Sequence, residues 1–128
     1  MVELALCLMG FLLLTVGAME FGWGVYAYNF CASASQDAAR WASVRGSLSK
    51  SPATLSDIST YVKGQAVGLT ASLITVSATW NGSTTTAGNN NPGNNLAVTV
   101  GYTIVPLAGL AIKQNILVSS TAQFVINN

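Results

Sequence analysis

Four carboxylates and two thiols carry most of the chemistry this sequence can offer, and their spacing limits it. The acids are Glu3, Glu20, Asp37 and Asp57, and none occurs from residue 58 onward. A paired-carboxylate acid–base site or a calcium loop is therefore excluded from the second half. Histidine is absent, which removes the commonest general base and the commonest metal ligand. Serines and threonines are many, but no base stands ready to activate one as a nucleophile. Cys7 and Cys31 lie 24 residues apart. On one helix that is about 36 Å, too far for a bridge within the chain. Both read as small buried apolar residues, and neither sits in a haem-attachment pattern. No catalytic residue, no metal and no cofactor is expected.

What remains is the physics of charge in greasy surroundings. Glu3 and Glu20 bracket an apolar run, residues 4–18, followed by Phe21, Trp23, Tyr26, Tyr28 and Phe30. An ionised carboxylate in an apolar helix bundle is costly unless paired. No Lys or Arg precedes Arg40, so the nearest cation is an α-amino group. Glu3 is thus expected to be a registry residue, pairing with the amine of Met1 on its own chain or on a staggered neighbour. Glu20, beside the aromatics where polar groups can reach it, is the weaker candidate.

The elements that position these groups follow from composition. The chain has 128 residues, enough for one domain, or one small domain plus a helical segment. It is 51% hydrophobic and 7% charged, with net charge +1. Soluble domains carry about 25% charged residues. So bare a surface must be covered by a membrane or by other copies, and a net charge near zero gives no grip on nucleic acid. A secretory signal needs a basic leader, an apolar core and a nearby cleavage site. Here the first basic residue is Arg40, and an upstream segment is expected to have been removed. The apolar run reaches membrane-spanning length only by extending through Glu20 into the aromatics, which would form an interfacial belt. Gly10, Gly17, Ala18, Gly22 and Gly24 recur along it, and Ala18 with Gly22 makes a small-xxx-small pair that lets helices approach closely.

Helical character continues through the alanine-rich, proline-free stretch to about Gly46. Asp37 and Arg40 are spaced to pair, and Phe30, Ala34, Trp41 and Val44 fall near one stripe. A second, short helix is expected from Ser51-Pro52, with serine as cap and proline in the first turn, ending near Gly64 or Gly68. Beyond it the period becomes two. Ile74, Val76, Ala78 and Trp80 form one strand, Leu96, Val98, Val100, Tyr102 and Ile104 a second, and Val118, Ala122, Phe124 and Ile126 a third. A short helical turn or loop is expected over residues 106–115. The polar segment 81–95 is expected to be an exposed, mobile loop. It contains a glycosylation sequon at Asn81 and possible O-linked acceptors at Thr84, Thr85 and Thr86.

The fold class is therefore α+β: a long N-terminal helix over residues 1–46, then a surface domain over 47–128 with a short helix and a three-stranded antiparallel sheet. This order resembles the pilins of the type IV filament superfamily, and more closely the TadE-like pseudopilins of tight-adherence systems. Val2-Glu3-Leu4-Ala5-Leu6, Leu12-Leu13-Leu14, Glu20-Phe21-Gly22 and Ala38-Ala39-Arg40 stand in the family's order. The strand, Tyr102, Pro106-Leu107, the apolar turn and the final strand over residues 97–126 are similar to its C-terminal block. Glu3 departs from the fifth-residue acid usual in type IV pilins. The resemblance implies a leader removed by a prepilin peptidase, residence in the inner membrane, extraction by an assembly machine, and a homopolymeric extracellular filament for surface attachment with the helices in its core. Two alternatives stay open: a minor pseudopilin that primes or caps another pilin's filament, and a membrane-anchored envelope binding module.

Overall fold

The structure, a computed structural model, describes residues 1–106 and 114–127. Helix α1 spans Val2–Ser43, about 63 Å at 1.5 Å per residue. Helix α2 spans Leu55–Gly64, and a single 3₁₀ turn, Ala71–Leu73, leads into the sheet. The strands are β1 (Ile74–Trp80), β2 (Asn95–Ile104) and β3 (Ile116–Val125). They lie in the order β1-β2-β3, antiparallel throughout. Most of the segment 106–115 lies outside the described residues.

The period-two pattern sets the register. Ile74 faces Tyr102, Ala78 faces Val98 and Trp80 faces Leu96. On the other side Val98 faces Ala122 and Leu96 faces Phe124. The inward side chains Ile74, Ala78, Trp80, Leu96, Val98, Val100 and Tyr102 are buried. Both helices lie against this face, α1 under β2 and β3 and α2 under β1. The opposite face carries Ser77, Thr99 and Thr121 in one row, with the Thr99 and Thr121 hydroxyls 2.7 Å apart.

The buried face of α1 begins only at Ala27. It runs through Cys31, Ala34, Ser35, Ala38, Ala39, Ala42 and Ser43. This stripe of small side chains brings the helix axis close to the sheet, and the Cys31 thiol lies 3.8 Å from the Val118 carbonyl. The expected stripe is corrected in part. Phe30 and Trp41 pack at its margin, but Val44 is exposed. Arg40 does not pair with Asp37; its guanidinium lies 5.5 Å from the Phe124 ring centre. Cys31 is buried as expected, whereas Cys7 is exposed.

α2 starts later than Ser51-Pro52 predicts. Thr54 is its N-cap, and Thr54 with Asp57 forms a reciprocal capping box. The Asp57 amide donates to the Thr54 hydroxyl at 3.3 Å, while the Thr54 hydroxyl and amide donate to the Asp57 carboxylate at 2.7 and 3.1 Å. Satisfying helix-start donors from both sides outweighs proline's fixed φ as a start signal here. Ile58 and Val62 then point into the core. Tyr61 stacks on Trp41 with centroids 5.1 Å apart, and Arg45 covers the Trp41 ring at 4.0 Å.

The C-terminal end of α1 gathers the loops. Asn127 N–H donates to the Ser43 carbonyl at 3.0 Å, and Ala53 N–H donates to the Arg45 carbonyl at 2.9 Å. Ser47 N–H reaches the Asn90 carbonyl at 2.7 Å, and the Asn90 side-chain amide donates to the Arg45 carbonyl at 3.4 Å. Helix-end carbonyls need such partners. The loop 81–95 is therefore tied down at buried Asn90, although most of its side chains face solvent.

Two outcomes test this packing. Ala38→Leu forces a larger side chain into the helix–sheet seam and should lower head stability by about 1–3 kcal/mol; Gln36→Leu on the exposed side should stay within about 0.5 kcal/mol. Denaturation midpoints of the detergent-solubilised chain compare them. The Thr54 hydrogen bonds, helped by Arg45, hold the Asp57 carboxyl below its ordinary value of 3.8. A lowered folded value means the unfolded chain binds the proton more readily. The cap's contribution is thus whole above pH 3.8 and is lost as pH falls through the folded value. Helical circular dichroism should show this acid slope, and Asp57→Asn should flatten it.

Candidate assembly surface

No residue of α1 before Ala27 is buried. Leu4 is 75% exposed and Leu14 77%, and Leu6, Leu8, Met9, Phe11, Leu12 and Leu13 are exposed beside them. An 18-residue window of this helix has mean hydropathy 2.2, carries at most two charged residues and has none of its residues buried. It is long and apolar enough to cross a membrane. Exposed apolar surface on this scale marks a surface meant to be covered.

The helix meets the head at an apolar groove of about 740 Å³. One wall is α1 from Val16 to Tyr28, and the other is the end of the sheet, Ile104, Val105, Pro106, Ile116 and Val118. The sheet ends at the level of Gly24, where a Cβ would lie 3.8 Å from the Ile104 Cδ1. Glu20 is half-buried and lines the groove. Trp23 and Tyr26 are tilted ring neighbours, 5.8 Å apart. The Tyr26 hydroxyl donates to the Val67 carbonyl at 2.6 Å, which ties the aromatic segment to the turn after α2.

The residues singled out in the sequence divide by place. Gly17, Glu20 and Gly24 line the groove. Gly10 and Gly22 face open space, and Ala18 is exposed. Met1 and Glu3 stand exposed at the far end of the helix, well away from the head. Asn81, Thr84 and Thr85 are exposed on their loop, while Thr86 is half-buried. Asn81 has φ 51°, the left-handed turn conformation that asparagine tolerates. Among the described residues, no three metal-ligating side chains cluster. Sequence reasoning missed the groove's second wall, because β-strand periodicity says where a strand's faces point and not what lies beyond its end.

The uncovered apolar helix and the acids Glu3, Glu20 and Asp37 fall in a segment that one family model matches. Residues 1–40 match the model of the TadE-like protein family. The match falls on the segment where the N-terminal resemblance was read. It stops short of the block at 97–126. No curated protein and no solved structure matches the chain. The TadE-like segment thus spans the whole exposed part of α1 and most of the helix–sheet seam.

Removing residues 2–20 takes away most of the uncovered apolar surface and leaves the seam from Ala27 onward. The full chain should sediment with membranes. The shortened chain should stay in the supernatant and unfold cooperatively, with buried Trp80 reporting by near-ultraviolet circular dichroism.

Proposed function

We propose that this chain is a structural subunit of a tight-adherence-type pilus, an extracellular filament for surface attachment. Residues 1–46 anchor it in the inner membrane and then form the filament core, and residues 47–128 form the outward domain. Its partners are other copies of itself, a prepilin peptidase and the pilus assembly machinery. The observation that carries this reading is the first half of α1: an apolar helix with no cover of its own, attached to a head whose core is already closed. The TadE-like match supports it. Gly10, Gly17, Ala18, Gly22 and Gly24 are the positions where neighbouring helices approach closely, and Glu3 sets their register against the α-amino group at Met1 of another copy. The rival reading, a minor subunit that primes or caps another filament, differs in where the protein lies.

Gold-labelled antibody against the head, viewed on filaments from producing cells, should decorate their whole length; label at one end only would establish the minor role. In the same cells Glu3→Gln should leave the protein in the membrane and sharply reduce filaments, since breaking a buried charge pair costs about 3–5 kcal/mol. Glu20→Gln should do less. Equal filament yields from Glu3→Gln and the parent would remove Glu3 from the register.

A further inference from the structure

We infer that the turn after α2, residues 65–69, docks on the bilayer surface, with Val67 entering the headgroup–acyl boundary and Lys63 facing anionic headgroups. The inference rests on the membrane anchoring proposed above and adds to it a contact made by the head.

Height along α1 decides where the turn lies. About 30 Å of hydrocarbon takes up about twenty helical residues, which is α1 from Val2 to Phe21. Trp23 and Tyr26 therefore fall in the headgroup layer, where such rings are enriched. Long side chains on a helix lean back toward its N-terminus. The Tyr26 hydroxyl thus lies lower than its own Cα, on the side of Trp23, its ring neighbour at 5.8 Å. That hydroxyl donates to the Val67 carbonyl at 2.6 Å. The bond holds the turn at the height where the span ends.

The composition of the turn fits that place and not open water. Val67 is 77% exposed, while Leu69, two residues on, is buried. Gly68, at φ 73°, makes the reversal between them. Turns facing water are built mainly from Gly, Asn, Asp and Ser, as is much of the loop 81–95 at the other end of the head. Here an aliphatic side chain stands uncovered instead. Lys63 is exposed in the last turn of α2, and its carbonyl accepts from the Ala66 amide at 3.3 Å, which keeps it beside the turn. Its stem can lie along apolar surface with the ammonium among phosphates. No acid follows Asp57, and Glu20, the acid closest in height, lines the groove on the sheet side. One valine and one lysine are too little to anchor the head alone. They set its height and tilt beside a helix that is already inserted.

The full-length chain carrying Cys7→Ser tests this in phosphatidylcholine–phosphatidylglycerol vesicles. Cys31 is buried and stays unlabelled. A fluorophore is attached at Val67→Cys, at Leu12→Cys within the span, or at Leu48→Cys, an exposed site beyond the Ser43 end. Lipids spin-labelled near the headgroup should quench the Val67→Cys probe at least about threefold more than the Leu48→Cys probe, which belongs to the end of the head about 30 Å further along the helix. Tyr26→Phe keeps the ring, removes the donor and should lower that quenching at least about twofold. Phosphatidylglycerol should raise the share of docked heads about fivefold over phosphatidylcholine alone, and Lys63→Gln should lose that gain. Quenching of Leu12→Cys by deep spin labels, with none at Val67→Cys from either label, would overturn the docking and leave the anchored helix standing. No quenching at Leu12→Cys would overturn both. A Val67→Cys probe shielded from aqueous iodide yet untouched by spin-labelled lipid would assign the turn to a neighbouring copy and overturn the inference.

Discussion

The close seam between α1 and the sheet is the contact on which the rest of the molecule depends. It is made by alanines, a serine pair and Cys31 on the helix, against Leu96, Val98 and Val100 and the inward side chains of β3. Small side chains shorten the distance between helix and sheet, and interior packing at native density leaves little tolerance for change there. The seam also aligns the strands with the helix. The Ile104 end of β2 stands at Gly24, and Phe124 of β3 stands at Arg40. Everything before Gly24 projects beyond the sheet as a consequence.

The projection accounts for a composition that would be unfavourable in a free monomer. Only nine of 128 residues are charged, and the exposed apolar side chains are concentrated on the projecting half of α1. The head handles its polar groups locally. Carbonyls at the end of α1 are met by Ala53, Asn90 and Asn127, and the start of α2 is closed by its capping box. Its stability therefore rests on hydrogen bonds and packing within the head, while solubility is left to whatever covers the helix.

Legibility in the sequence followed the strength of the local signal. The strands were readable because period-two alternation is unambiguous over Ile74–Trp80 and Asn95–Ile104. The long helix was readable from its apolar run and from the absence of proline as far as Pro52. The seam stripe was harder, because alanines at helical spacing look like mere helix formers, and larger residues such as Val44 drew attention away from them. The start of α2 was misplaced because Ser-Pro is a conspicuous start signal, whereas Thr54-x-x-Asp57 does its work through reciprocal hydrogen bonds. The loop 81–95 read as free because nothing in a run of polar residues reveals that Asn90 turns inward to Arg45. The groove was not legible at all. It arises from where the sheet stops along the helix, a distance set by tertiary packing.

The two ends of the head differ in kind, and that difference gives the molecule a direction. At the Ser43 end the backbone is closed by hydrogen bonds from three separate segments. At the Gly24 end the sheet finishes in apolar side chains beside an apolar helix. Apolar burial favours whatever leaves least surface in water, so cover has to be supplied at the Gly24 end and along the projecting helix, while the Ser43 end is already satisfied from within the head.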